Sequence, residues 1–221
     1  MNAINPIIAV ANQKGGVAKT TTAISIAHGI ARQREGVVLG AVTLVDLDQQ
    51  GQCAIGLGLS PRSAVFDFLV GDAALINCLA DTGRANLDLL PGNARTKHVD
   101  FVYRNEVDGF AILADRLRSI ADYGTVVIDT PTAGLLQEAA IRIADVVVIP
   151  ARCESLSVDS VHITLSLIAK LNPAARLIIL PTMYDKRLAE HAYNLGVLQE
   201  LGSVAVAPPV PARVAVLEAG A

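Results

Sequence analysis

Ile7-Ile8-Ala9-Val10-Ala11 runs straight into Asn12-Gln13-Lys14-Gly15-Gly16-Val17-Ala18-Lys19-Thr20-Thr21-Thr22, and the reading of this stretch decides the fold. The leading residues are apolar without alternation, the pattern of a strand buried on both faces. From Thr20 to Gln33, Ile24, Ala27, Ile30 and Ala31 fall on one helical stripe. The turn between strand and helix carries glycines, a lysine and hydroxyls. A loop that wraps a triphosphate needs glycines so that consecutive N–H groups can turn inward. It also needs a lysine for the β/γ-phosphates, a hydroxyl for Mg²⁺ and a helix whose positive end faces the anion. Gly15, Gly16, Lys19 and Thr20 supply these parts. The ordinary pattern GxxxxGK[ST] is not met, because its glycine positions hold Gln13 and Ala18. The pattern that is met is KGGxxK[ST], with the additional lysine Lys14 ahead of the glycines.

Outward from this stretch the same alternation continues. Apolar runs recur at Val42–Val45, Val126–Ile128, Val146–Ile149, Leu177–Leu180 and Val204–Val206. Helical stripes lie between them, Phe110, Leu113, Leu117 and Ile120 in one and Val158, Val161, Leu165 and Ile168 in another. This order predicts an α/β fold, a doubly wound, mostly parallel sheet with helices on both faces, and the loop at 12–22 makes it resemble the P-loop NTPases. Residues 58–105 are less regular, with a helix expected over Ala64–Val70, a strand over Leu87–Leu90 and loop elsewhere. No repeat, low-complexity tract or linker divides the chain, so residues 1–221 are expected to form one domain. In such a sheet ligands sit beyond the carboxyl ends of the strands. There the sequence places the loop at 12–22, then Asp46-Leu47-Asp48, then Asp129-Thr130-Pro131.

Composition narrows the classes. The chain has 221 residues, 52% hydrophobic, with 18 Lys+Arg against 21 Asp+Glu for a net charge of -3. That balance excludes wholesale disorder and a strongly basic surface, leaving only a local one for nucleic acid. Cys53, Cys78 and Cys153 form no CxxC pair and read as buried free thiols in a reducing compartment. The start of the chain lacks a signal-peptide pattern, and no apolar stretch reaches spanning length. A cytoplasmic protein without a membrane partner is expected.

On these motifs the sequence resembles the ParA-type partition ATPases, within the deviant-Walker group that includes septum-placing and nitrogenase iron proteins. Lys14–Thr22 resembles the family's phosphate loop, Leu44–Gln52 its DxDPQG segment and Val127–Pro131 its switch-II strand end. Pro150–Glu154 and Pro181–Asp185 are also similar to family segments. The resemblance implies ATP and Mg²⁺ as cofactors, held by the loop from Lys14 through Gly15, Gly16, Val17, Ala18, Lys19, Thr20 and Thr21. Thr20 would ligate Mg²⁺, and Asp129 would hold it through a water. Lys14 would reach the nucleotide of a partner subunit, and Asp48 would orient the attacking water. Asp46 either supports the metal shell and switch or simply ends its strand. Val210–Ala219 is similar to the segment lining the adenine, which places Met183, Pro211 and Arg213 at the base. Departures are Gln49 for the usual proline, Arg213 for an asparagine, and Ala212 and Ala215 for frequent arginines. Family members usually continue past the position of Ala221 with further helices.

The implied activity is a switch that dimerises on ATP, hydrolyses it slowly to ADP and phosphate, and acts in plasmid or chromosome partitioning. Its implied partners are a second copy, non-specific DNA and a centromere-binding ParB-type protein that stimulates hydrolysis, with a nucleoid-associated location. The alternatives are a nucleotide-binding scaffold or a positioning ATPase with little turnover. Glu218-Ala219-Gly220-Ala221 is not expected to form a basic amphipathic helix for membrane attachment. The four histidines, at 28, 98, 162 and 191, have no second ligand at metal spacing and read as core or surface residues. Arg84, Arg95, Lys97 and Arg104 read as a solvated face, and Lys186-Arg187 as the better local DNA contact.

Overall fold

The structure is a computed structural model that describes residues 5–33, 41–201 and 204–212. Among the described residues eight strands form one sheet in the order β3-β4-β2-β5-β1-β6-β7-β8. They are β1 (Ile7–Val10), β2 (Ala41–Asp46), β3 (Ala80–Arg84), β4 (Leu87–Leu90), β5 (Gly124–Asp129), β6 (Val146–Arg152), β7 (Arg176–Thr182) and β8 (Ala205–Val206). Every pair is parallel except β3 with β4, so the expected doubly wound sheet is present.

The described helices are α1 (Lys19–Gln33), α2 (Gln52–Gly56), α3 (Ala64–Leu69), α4 (Leu75–Cys78), α5 (Lys97–Arg104), α6 (Gly109–Arg118), α7 (Leu135–Ile143), α8 (Ser155–Leu171) and α9 (Ala189–Gln199). A 3₁₀ turn, Ser119–Asp122, follows α6. Helices cover both faces. One apolar cluster joins Val126 and Ile128 of β5 to Leu113 and Leu117 of α6 and Val161 of α8. A smaller one joins Val10, Leu44 and Val127 to Ala23 and Ala27 of α1. All six residues of β5 are buried, which is why its sequence does not alternate.

The order of connections positions the site. From β1 the chain passes through α1 to β2 on one side, while β6 flanks β1 on the other. The winding therefore reverses at β1, opening a crevice outside the strands' carboxyl ends. Val10 pairs with Asp129, and Asp46 pairs with Asp129, so the three strand ends stand level.

Residues 58–105 carry more structure than their sequence predicts. Beyond the helix α3 and strand β4, the structure adds α4, α5 and the antiparallel edge strand β3. β3, reading Ala-Asp-Thr-Gly-Arg, buries only Thr82 and has no apolar run to announce it. α5 buries only Val99 and Tyr103, too few for a legible stripe.

Candidate functional site

The loop after β1 is tied down along its length. The Asn12 side-chain amide donates to the Pro150 carbonyl at 2.8 Å, and its oxygen accepts from Lys14 N at 2.9 Å. The Thr182 hydroxyl donates to the Val17 carbonyl at 3.1 Å. Gly16 and Ala18 both take left-handed backbone, φ 71 and φ 68. Glycine does so freely, whereas an alanine there is strained by about 1–2 kcal/mol. The loop thus holds a turned-in conformation that its sequence does not favour at position 18.

Lys19 opens α1 and is buried, with its ammonium donating to the Lys14 carbonyl at 2.9 Å. Burial lowers its pKa, opposed by the charges of Asp129 and Asp48. The Thr20 hydroxyl donates to Asp129 Oδ2 at 2.7 Å, and the Cys53 thiol donates to the same oxygen at 3.5 Å. Asp129 Oδ1 is buried with no hydrogen-bond partner. Asp46 spends both oxygens on backbone, accepting from Asp48 N at 3.2 Å and Cys53 N at 2.9 Å.

Two buried carboxyls side by side cannot both ionise easily. Burial, then the charge of Asp129, raises the Asp46 pKa to about 8. Burial raises Asp129 to about 6, moderated by hydrogen bonds from Thr20 and Cys53 and by the charge of Lys19. Both values lie above the ordinary 3.8, so the folded chain holds protons that the unfolded chain releases. Their contribution to stability therefore falls as pH rises through the interval from about 4 to about 8 and is level above it. Without nucleotide or divalent metal, melting temperature is expected to drop between pH 6 and pH 8.5. The drop should be shallower in Asp46→Asn, and equal slopes by calorimetry would contradict the assignment.

These elements border a cavity of about 640 Å³. Of the residues expected at the site, Gly15, Gly16, Ala18, Lys19, Thr20, Thr21, Asp48 and Met183 line it. Ile24, Ser25, Gln52, Gly56 and Thr132 line it as well, and sequence reasoning missed them. Only their position on α1, on α2 or after the Asp129-Thr130-Pro131 signal could have pointed to them. Val17 is buried and serves the loop through its carbonyl. Lys14, Asp46 and Asp129 are not lining residues, though Asp129 reaches the cavity wall through Thr20.

Comparison with known proteins gives the family. A family described as an AAA domain matches residues 5–178. The chain is 33% identical over 193 residues to "Chromosome partitioning protein ParA" of Caulobacter vibrioides, covering 82% of this chain and 70% of that one. This chain belongs to the ParA family. It is also 34% identical over 158 residues to "Sporulation initiation inhibitor protein Soj" of Bacillus subtilis, covering 69% of this chain and 60% of that one. Among solved structures, one described as cobyrinic acid a,c-diamide synthase from Mycobacterium smegmatis with bound ADP and magnesium superposes with a TM-score of 0.82. The identity is 31%, covering 98% of this chain and 91% of that one.

The donor set of this ParA-family site suits a hard cation. Mg²⁺ takes hydroxyl, carboxylate and water oxygens in an octahedron, and the chain offers the Thr20 hydroxyl beside the unpartnered Asp129 Oδ1. Ligand atoms of Asp46, Cys53 and Asp129 all lie within 4.8 Å of one another. The Cys53 thiol is pushed well up by burial and by its acidic neighbours, so it stays protonated, as a donor to Asp129 rather than a ligand.

On the side of Met183 the backbone is pinned. Met183 has φ 53, Tyr184 N donates to the Val210 carbonyl at 2.9 Å, and Ala212 N donates to the Tyr184 carbonyl at 3.0 Å. Pro211 bridges to Tyr184, one residue from the Met183 that lines the cavity. Arg213 and Ala215 lie outside the described residues.

Other residues singled out by sequence have local partners. Arg95 sits 4.3 Å from the Phe66 ring centroid and pairs with Asp67, Arg104 pairs with Asp100, and Arg187 pairs with Asp185. Buried His191 accepts a hydrogen bond from Asp185 N at 3.0 Å, a structural role. Cys53, Cys78 and Cys153 are free and buried, as expected. Among the described residues no helix is long and apolar enough to cross a membrane.

Proposed function

We propose that this chain is an ATP-dependent dimerising switch that hydrolyses ATP to ADP and phosphate and serves DNA partitioning. The supporting observation is the buried Lys19 ammonium on the cavity wall, flanked by Thr20 with its bond to Asp129, while Asp48 lines the same cavity. The solved relative with ADP and magnesium lends weight to the nucleotide and the metal. Family membership lends weight to partitioning, with plasmid or chromosome as the cargo.

In this reading the amides of residues 15–20 and the Lys19 ammonium hold the β- and γ-phosphates. Thr20 and Asp129 hold Mg²⁺, with Asp46 fixing the turn that carries Asp48. Mg²⁺ held there would neutralise charge on the phosphate oxygens. Of Asp46, Asp48 and Asp129, Asp48 is the one that lines the cavity, and it orients the attacking water. Lys14 reaches the triphosphate held by a second copy and stabilises charge on the β–γ bridge there. Met183 and Pro211 border the base.

The remaining parts of the reading follow the family. Residues 1–221 act as one domain, the dimer binds DNA non-specifically on the nucleoid, and a centromere-binding ParB-type protein stimulates hydrolysis. Phosphate-driven DNA binding should weaken steeply with salt. The competing reading is a nucleotide-binding scaffold without turnover. Phosphate release should be measured with ATP, with and without Mg²⁺, DNA and the partner. Turnover that needs Mg²⁺ and rises with DNA and partner is the expected result. ATP bound but never consumed under any of these conditions would favour the scaffold.

A further inference from the structure

The loop that follows Asp129 ends at Gly134, and a different helix holds its far end. Gly134 is the N-cap of α7, has φ 107, and offers no side chain to the first amides of that helix. Those amides need acceptors, ordinarily supplied by a Ser, Thr, Asp or Asn at the cap itself. Here Asp100 of α5 supplies both. Its Oδ2 accepts from Leu135 N at 2.9 Å and its Oδ1 from Leu136 N at 3.1 Å. The approach is so close that a Cβ at position 134 would lie 2.5 Å from Oδ2. Arg104, one turn along α5, pairs with the same carboxylate at 3.6 Å.

The other end of this segment meets the loop after β2. A Cβ on Gly92 would lie 2.4 Å from the Asp46 carbonyl oxygen and 3.1 Å from that of Asp48. Between the two ends, Thr96 N donates to the Asn93 carbonyl at 2.8 Å and the Thr96 hydroxyl accepts from Asn93 N at 3.1 Å, turning the chain into α5. Residues 92–100 thus form one brace from the backbone of Asp46 and Asp48 to the amides that start α7. Inside the braced loop the Thr130 hydroxyl donates to the Val10 carbonyl at 2.9 Å, the Gln137 amide donates to the Pro131 carbonyl at 2.8 Å, and Thr132 lines the cavity.

We propose that Asp100 is a positioning residue. It fixes the loop 130–134 against the loop that carries Asp48, so that Thr132 and Asp129 meet the phosphate loop in one geometry. The inference rests on the functional reading above, in which these loops hold and hydrolyse ATP. Asp100 touches neither the cavity nor the strand-end carboxylates and acts only through the amides of Leu135 and Leu136. A plain helix cap, once lost, lowers the melting temperature and leaves the folded fraction working at its former rate. A positioning residue, once lost, slows the folded protein, because a displacement of about 1 Å can cost up to about 10²-fold in rate.

The test compares the parent, Asp100→Ala, Asp100→Asn and Asp48→Ala well below each melting temperature. ATP turnover, KM and amide hydrogen exchange across residues 130–136 are measured together. For Asp100→Ala a kcat about 10-fold lower, with KM within about 2-fold, is expected. Exchange across 130–136 should rise about 10-fold or more in the same variant. Asp100→Asn keeps one acceptor oxygen and should fall between parent and alanine. A folded Asp100→Ala with the parent's kcat overturns the proposal, whether or not exchange rises, and leaves the functional reading intact if Asp48→Ala has lost turnover. A parent that releases no phosphate under any condition overturns the functional reading and this proposal with it. Should Asp100→Ala not fold, Asp100→Asn carries the same test, and parent values in both readouts overturn the proposal.

Discussion

Replacing Lys19 by alanine is expected to remove Mg·ATP binding, raising Kd by about 10³-fold. An ammonium about 4 Å from a phosphate charge is worth about 4 kcal/mol at the effective dielectric of a half-enclosed site. Lys19 is buried on the cavity wall and its Nζ is oriented by the Lys14 carbonyl. It is also the cation beside Asp129 and Asp48. Its removal therefore takes away the attraction for the anion and leaves two carboxylates to repel it. The check is a titration with a fluorescent ATP analogue in Mg²⁺. A Kd within about threefold of the parent's would show that the polyphosphate binds elsewhere.

Asp48→Ala is expected to leave ATP binding within a few-fold while turnover falls by about 10²- to 10⁴-fold, the scale of a lost general base or water-orienting group. The geometry singles this residue out from its neighbours. Asp46 has both oxygens committed to the amides of Asp48 and Cys53. Asp129 is covered by Thr20 and Cys53 on one oxygen and turns the other to a cation in the proposed reading. Asp48 alone of the three lines the cavity, with one oxygen accepting from Gln50 N at 3.0 Å and steadying it. Single-turnover phosphate release and an ATP-binding isotherm on the same variant separate the two effects. Parent-like turnover would move the water-orienting role to another residue.

The parts of this fold that sequence shows best are those buried almost throughout. β1, β2, β5 and β6 are continuous apolar runs because helices cover both of their faces. The loop at 12–22 is legible because wrapping a phosphate with backbone demands particular residues at particular spacings. The structure places Lys19, Thr20, Asp48 and Met183 on the wall of one cavity. What stayed hidden depends on contacts between distant segments. α2 is five residues long, too short to show a period, yet its Cys53 N–H and thiol hold the two strand-end carboxyls. Asp100 lies in a stretch expected to be loop, and only the folded chain shows it capping the start of α7. Thr132 and Gly56 carry no chemistry that marks them, and only the folded crevice brings them to its wall. At position 18 the sequence even points the wrong way, since alanine disfavours the left-handed backbone that the loop requires there.

In the proposed dimer two lysines, one from each copy, close on a single triphosphate. Sedimentation velocity with Mg²⁺ and a non-hydrolysable ATP analogue, on the parent and on Lys14→Ala, tests it most directly. The parent should pass from monomer to dimer on adding nucleotide, while Lys14→Ala binds the nucleotide and remains a monomer. A parent that stays monomeric at saturating nucleotide, or a Lys14→Ala variant that dimerises as the parent does, would contradict it.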